Sequence, residues 1–213
     1  MTFPELSTQS FRARHSRLTV DADGFYVDAH GVKLGVVVFA WREETIQVLC
    51  VRKSDKAGYV FSGKWALPGG MVRAETGDQA FGDLLDAVYA SAARRCVSEA
   101  GLLVSDRTAL SLIDMATPVT CFDVDRIRQF VRVVPLLFSG PTPDTPESAD
   151  SSITDARWWL AQDVLPLMSP ANCVVLHGLV GSLLPSAYPG LVAAVGVAKA
   201  QCDTWEAEAL ARC

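Results

Sequence analysis

The spacing of apolar residues changes several times along this chain, and each change predicts an element. From Val32 to Trp41 the run "VKLGVVVFAW" is nearly continuous and rich in β-branched residues, as in a strand covered on both faces. "TIQVLCVRK" repeats the pattern after the polar Arg42-Glu43-Glu44 turn and predicts a hairpin partner. "SDKAGYVFSGKWALPGG" then reads as a loop, closed by Pro68-Gly69-Gly70, a stop that ends a strand and lets backbone approach closely.

In "FGDLLDAVYASAARRCVSEAGL" the period becomes helical. Leu84, Leu85, Val88, Ala92, Cys96 and Val97 stand at helical spacing, Gly101 is placed as a C-terminal cap, and Gly82 marks the position for any break. Strand patterns return at "ALSLIDMA" and "FVRVVPLLFSG", separated by the polar "DVDRIRQ". The Pro-, Ser- and acid-rich "PTPDTPESADSS" is a loop, and "DARWWL" is a short strand that sends Trp158 and Trp159 to opposite faces, one into the core. "AQDVLPLMSPANCVVLHGLVGSLL" predicts one or two helices and "AKAQCDTWEAEALARC" a last amphipathic one. The order of elements is that of an α/β or α+β domain with mixed strand directions. We divide the chain into an N-terminal arm over residues 1–17, expected to be a solvated tail, a main domain over 18–184, and a C-terminal helical extension over 185–213 packed on that domain.

Composition narrows the partners. Half of the residues are apolar and the formal net charge is -5, which argues against a nucleic-acid binder and favours small molecules or proteins. The apolar stretch after Cys173 is interrupted by Pro185 and Pro189, so its unbroken runs are too short for a bilayer. The six cysteines form no CxxC pair, and several, such as Cys50 and Cys173, read as small buried residues of a reduced, cytoplasmic protein, an expectation that the N-terminus, lacking the apolar core of a signal peptide, shares. The apolar C-terminal region is the candidate for an interface between two copies. Trp65 is expected in the core, and His30 and His177 have no catalytic neighbour in the sequence.

"GKWALPGGMV", followed by "AARRCVSEAGL", resembles the box of the Nudix hydrolases, G-x5-E-x7-R-E-U-x-E-E-x-G-U, with U a bulky aliphatic residue. Gly69 and Gly70 fall on the paired glycines, Arg94 on the box arginine, Cys96 on the first U, Glu99 on the last glutamate and Gly101-Leu102 on the closing pair. "GVVVFAW" and "DARWWLAQDVLPL" resemble the flanking segments, so the likeness runs over about residues 30–184. It implies a mixed β-sheet sandwiched between helices, and water attack on the diphosphate of a nucleoside diphosphate linked to another moiety. Such a reaction needs Mg2+ or Mn2+ to neutralise phosphate oxygens and acidify the water, and carboxylates on one helix face can hold the ion.

Carried over position by position, the resemblance makes Glu99 the catalytic residue and a metal ligand, with the Gly69 carbonyl and Glu75 as further ligands. Gly70, Arg95 and Arg52 are candidates for substrate contact, and Arg94 and Gly101 for structural roles, Arg94 through a salt bridge to Glu75. The middle of the box departs from the pattern. Two of its three helix acids are here Arg95 and Ser98, strict counting puts Thr76 rather than Glu75 at the first glutamate, and the spacing to Arg94 is longer than the family's. Replacement acids are Asp83 and Asp86, which need the chain to fold back because a continuous helix puts Asp86 roughly 20 Å from Glu99, or the loop acids Asp144, Glu147, Asp150 and Asp155.

Arg95 has two readings. It pairs with Glu99 four residues on, or it faces the pocket and clamps phosphate directly. Two functions follow: a hydrolase of weakened activity, or a protein of the same fold that binds a nucleotide or ADP-ribose-like ligand without cleaving it.

Overall fold

The computed structural model describes residues 4–42, 44–45, 47–57, 61–74, 83–115, 119–124, 127–169, 172–173, 175–176, 178, 200, 203–204, 207–208 and 210–211, with backbone alone over 120–124 and 127–128. Its centre is β3 (Lys33–Arg42), the strand written by the continuous apolar run. Val36, Val38 and Ala40 face one core cluster while Val37 and Phe39 face another, so alternation along one strand serves two layers.

The flanks of β3 are taken by two strands. β9 (Ile127–Phe138) runs parallel to it from Lys33↔Val131 to Ala40↔Phe138, and β6 (Gly69–Met71) runs antiparallel through Val36↔Gly70. Glycines expected to end a strand therefore form one, because only a chain without Cβ atoms fits there: a Cβ on Gly69 would stand 2.3 Å from the Val36 carbonyl oxygen. β4 (Gln47–Lys53) pairs with β3 at Trp41↔Val48 and Arg42↔Gln47 and then diverges. It pairs instead with β10 (Ile153–Leu160), and with the two-residue β5 (Trp65–Ala66) inside the segment read as a loop. The expected hairpin thus holds only at its turn, since β6 and β9 occupy the rest of β3.

β1 (Thr19–Val20) and β2 (Tyr26–Val27) extend the sheet beyond β3, and β7 (Leu110–Leu112) and β8 (Val119–Val124) pair with β9. The polar stretch expected to separate strands contributes to both β8 and β9. On one face of the sheet lies α2 (Leu84–Ala100), which is continuous, begins at an Asp83 cap whose side chain accepts from the Asp86 N–H, and ends at Gly101 with φ 63°. On the other face lie α3 (Ala161–Val164) and the turn Leu165–Leu167, whose Val164, Leu165 and Met168 fill the second cluster with Cys173, Val175 and Leu176. This is the expected mixed sheet between helices. Trp65 is buried, and Trp158 and Trp159 pack on opposite clusters, each half-buried. Gly82, His177 and residues 181–199 lie outside the described residues. No helix among the described residues is long and apolar enough to cross a membrane.

The segment read as a solvated arm is docked instead. α1 (Thr8–Arg14) inserts Phe11, fully buried, into the α2-side core, Leu6 donates its N–H to Leu112 O, and Arg12 and Arg14 pair with Asp83 and Asp114. Its arginines help to attach it. His15 follows, 7% exposed and 4.6 Å from the Phe11 ring, its Nε2 without a partner. Burial, aided by the charges of Arg132 and Arg14, lowers its pKa to about 4.

An unfolded histidine titrates near 6.5, so below that pH the unfolded chain takes up a proton that folded His15 refuses. The stability from keeping His15 neutral is complete above about pH 6.5 and is lost as the pH falls towards 4. We predict that His15→Leu flattens the decline of melting temperature between about pH 7 and 5, where most carboxylates stay ionised. An unchanged slope would show that His15 does not carry this acid sensitivity.

Candidate functional site

Strand alternation sorts the end of β4. Leu49 and Val51 enter the cluster under α2, Val48 and Cys50 the opposite one, so Lys53 reaches the helix side while Arg52 belongs to the other face. On α2, Glu99 continues the inward stripe of Val88, Ala92 and Cys96, which puts a carboxylate at a core position with no exposed surface. An ion there needs compensation close by. It is compensated at both oxygens: Oε1 accepts from Lys53 Nζ at 2.8 Å and Arg95 Nη1 at 3.2 Å, and Oε2 accepts from the Gly69 N–H at 3.0 Å.

The same Arg95 nitrogen lies 3.6 Å from Asp150 Oδ2. Burial alone would raise the Asp150 carboxyl, but hydrogen bonds from Ser152 and the charges of Arg95 and Lys53 outweigh it and hold the group below the usual carboxylate range. The loop bearing Asp150 is fastened to the end of α2. The Ser98 carbonyl accepts from the N–H groups of Ala149 (2.9 Å) and Asp150 (3.0 Å) and from Ser148 Oγ (3.2 Å), and a Cβ on Gly101 would stand 2.8 Å from Glu147 O. Cys96, one turn before Glu99 on the buried face, has its thiol pushed up to about 12 by burial and then by the Glu99 charge.

The expected site residues are only partly brought together. Glu99, Arg95, Gly69, Gly70 and Gly101 converge, but Gly69 meets Glu99 through its N–H rather than its carbonyl. Gly70 leaves room for the Arg95 guanidinium, where a Cβ would lie 2.6 Å from Nε. Arg95 pairs with Glu99, the first of its two readings. Arg94 is exposed, and Glu75 and Thr76 lie outside the described residues. Arg52 is exposed and donates Nε to Gly63 O. Of the candidate replacement acids, Asp150 joins the cluster. Asp83 caps α2, while Asp86, Asp144 and Asp155 pair with Arg107, Arg42 and Arg157. The residue missed from the sequence is Lys53; the signal was its place two residues after Val51 in an alternating strand.

The divalent ion implied by the resemblance does not fit this donor set. A cation on Glu99 Oε1 would meet an ammonium and a guanidinium already in hydrogen-bonding range, and Oε2 is turned to a backbone donor. Among the described residues there is no group of three or more His, Cys, Asp or Glu side chains able to hold a metal. What the cluster can do is close on itself: two cations against two carboxylates, tying α2 to β4, β6 and the loop before β10.

Residues 31–175 match the sequence model of the NUDIX domain. Among solved structures, the NUDIX domain of Shewanella oneidensis NrtR, in a structure described as complexed with ADP ribose, is similar with a TM-score of 0.50 and 18% identity, over 84% of this chain and 99% of that one. A NUDIX hydrolase from Alicyclobacillus acidocaldarius is similar with a TM-score of 0.51 and 16% identity, over 76% of this chain and 96% of that one. A comparison with curated protein sequences gives no match.

The two glycines should differ in their tolerance of a methyl group. The Cβ of Gly69→Ala would strike the Val36 carbonyl, backbone that cannot yield, whereas that of Gly70→Ala strikes a side chain that can swing. We predict a loss of about 1–3 kcal/mol for Gly70→Ala, the usual range for overpacking, and a larger one for Gly69→Ala, read from urea denaturation midpoints. The reverse order would contradict the packing described here.

Proposed function

The chain belongs to the Nudix family, and from that premise we propose that it binds a nucleoside diphosphate linked to another moiety and does not cleave it by metal-assisted hydrolysis. Burial of Glu99, with both oxygens engaged by Lys53, Arg95 and the Gly69 N–H, carries this reading. The acid on which the family's chemistry would depend is committed to the fold. Ion-assisted water attack loses its seat when that acid is neutralised internally, and losses of positioned charge individually cost orders of magnitude in rate. The hydrolase reading would require Glu99 to leave three partners at once.

The ligand class rests on family membership, and the ADP ribose named for the NrtR domain is consistent with it at the level of fold. Arg95 is held between two carboxylates, which makes it a poor phosphate clamp. Arg52 is the phosphate contact in this reading. It shares a sheet face with its cross-strand partners Trp65 and Asp155, and on that face Arg157 lies over the rings of Trp65 (5.3 Å) and Trp159 (5.7 Å). Guanidinium and indole groups side by side suit phosphates next to a planar ring.

The test is a panel of nucleoside diphosphate sugars, dinucleotides and ADP-ribose, followed by calorimetry and phosphate release with Mg2+ and again with EDTA. We expect at least one ligand whose affinity is the same in both buffers, no turnover, and a weakening of roughly tenfold in Arg52→Ala without a change in melting temperature. Turnover that EDTA abolishes would restore the hydrolase reading, and no binding across the panel would remove the ligand class.

A further inference from the structure

We propose that Lys53 and Arg95 together stand in for a divalent cation, so that the box of this chain is neutralised by its own side chains and takes up no metal. The inference deepens the reading of the box as non-hydrolytic and rests on it for the identity of the acids. Four charged groups meet in one place. Glu99 and Asp150 bring two negative charges, and Arg95 Nη1 lies 3.2 Å from the first and 3.6 Å from the second, with Lys53 Nζ 2.8 Å from Glu99 Oε1.

The formal charges cancel, as they would for two carboxylates around one divalent ion. Arg95 Nη1 occupies the place where a single cation touches both carboxylates; a bare ion there would draw the oxygens in to about 2.1 Å for magnesium. Exposure separates this cluster from a surface ion pair. The Lys53 side chain is 14% exposed and Glu99 is not exposed at all, so water and salt screen this pair far less than a surface pair. Gly70 completes the arrangement, because its missing Cβ leaves the space in which the guanidinium lies.

The position of Lys53 follows from the fold. It is the last residue of β4, on the side that faces α2, and its N–H bonds to Lys64 O, while the N–H of the next residue, Ser54, bonds to Ser152 O two residues from Asp150. The strand end that carries the ammonium is thereby tied through its backbone to the loop that carries the second carboxylate. Removing both cations should leave Glu99 and Asp150 facing each other with two uncompensated charges, a set that a divalent ion would relieve.

The experiment titrates Mn2+ into the wild-type chain and into Lys53→Met/Arg95→Met, with free Mn2+ read by electron paramagnetic resonance and melting temperature measured in parallel. The wild type should take up no Mn2+ below about 1 mM and melt at the same temperature with or without it, and the double variant should bind one equivalent roughly tenfold or more tightly. Mn2+ should also raise the melting temperature of the double variant, and adding Asp150→Asn should abolish both effects. Stoichiometric uptake by the wild type overturns the proposal whatever the variants do, and so does a folded double variant that ignores Mn2+.

If the double variant folds only when Mn2+ is supplied, the proposal is supported by the folding itself. If it folds in neither condition, Glu99→Gln decides. With the Glu99 charge gone, Lys53 and Arg95 are in excess over Asp150, and inorganic pyrophosphate should raise the melting temperature of Glu99→Gln/Arg52→Ala more than that of Arg52→Ala alone; no such difference would overturn the proposal. Uptake of Mn2+ by the wild type without turnover would end this inference and leave ligand binding in EDTA intact, so the two readings fail separately.

Discussion

A carboxylate with no contact to solvent is stable inside a protein only if charge is supplied on the spot, and the Glu99 cluster meets that requirement from three directions. Lys53 comes from the end of β4, Gly69 from β6 and Arg95 from the preceding turn of α2 itself. Burying the ion therefore fixes the helix against two strands at once. Loss of any partner would leave an uncompensated charge, which costs several kcal/mol in buried pairs. The glycines of β6 belong to the same constraint. Gly69 must lie against Val36 for its N–H to point at Glu99, and Gly70 must be bare for Arg95 to lie flat upon it.

The sheet then divides its chemistry between two faces. Alternation along β4 sends Lys53 to the α2 side and Arg52 to the other, so adjacent basic residues serve different layers. The α2 side is closed by the loop that bonds to the Ser98 carbonyl. The opposite side keeps Arg52 exposed and half-buried Trp159 on the edge of Trp65, 5.2 Å between ring centroids. Charge on the first face is matched internally, whereas Arg52 on the second is exposed.

How far the sequence reveals this depends on whether a feature is local. β3 and α2 are legible because a long apolar run and a helical period carry their own evidence, and Gly101 is legible because a helix end in left-handed conformation favours glycine. β6 is not, because its residues have low strand propensity and are held in the sheet by close approach to β3, a tertiary effect. The docking of α1 is not legible locally, since the acids that receive Arg12 and Arg14 lie far along the chain, at Asp83 and Asp114. The i,i+4 pairing of Arg95 with Glu99 could be read directly. For Lys53 the alternation of β4 gives the face, but its contact with Glu99 depends on how β4 packs against α2, and Arg52, one residue earlier, was the basic residue singled out in its place.

The box itself shows which of its positions the fold uses. Five that still match the family pattern make contacts that the architecture needs: Gly69 and Gly70 for close approach, Cys96 in the core, Glu99 as the buried joint and Gly101 for the turn against Glu147. Of the two that depart, Ser98 serves the fold through its backbone carbonyl, which accepts equally well whatever side chain is attached. Arg95 goes further than neutral loss. A glutamate there would set a third negative charge beside Glu99 and Asp150 with Lys53 alone to oppose them, and an ion from solution would have to balance the rest; with an arginine, two cations meet two carboxylates from within. With position 95 basic and Lys53 in reach, the formal charges of the cluster cancel among its own side chains.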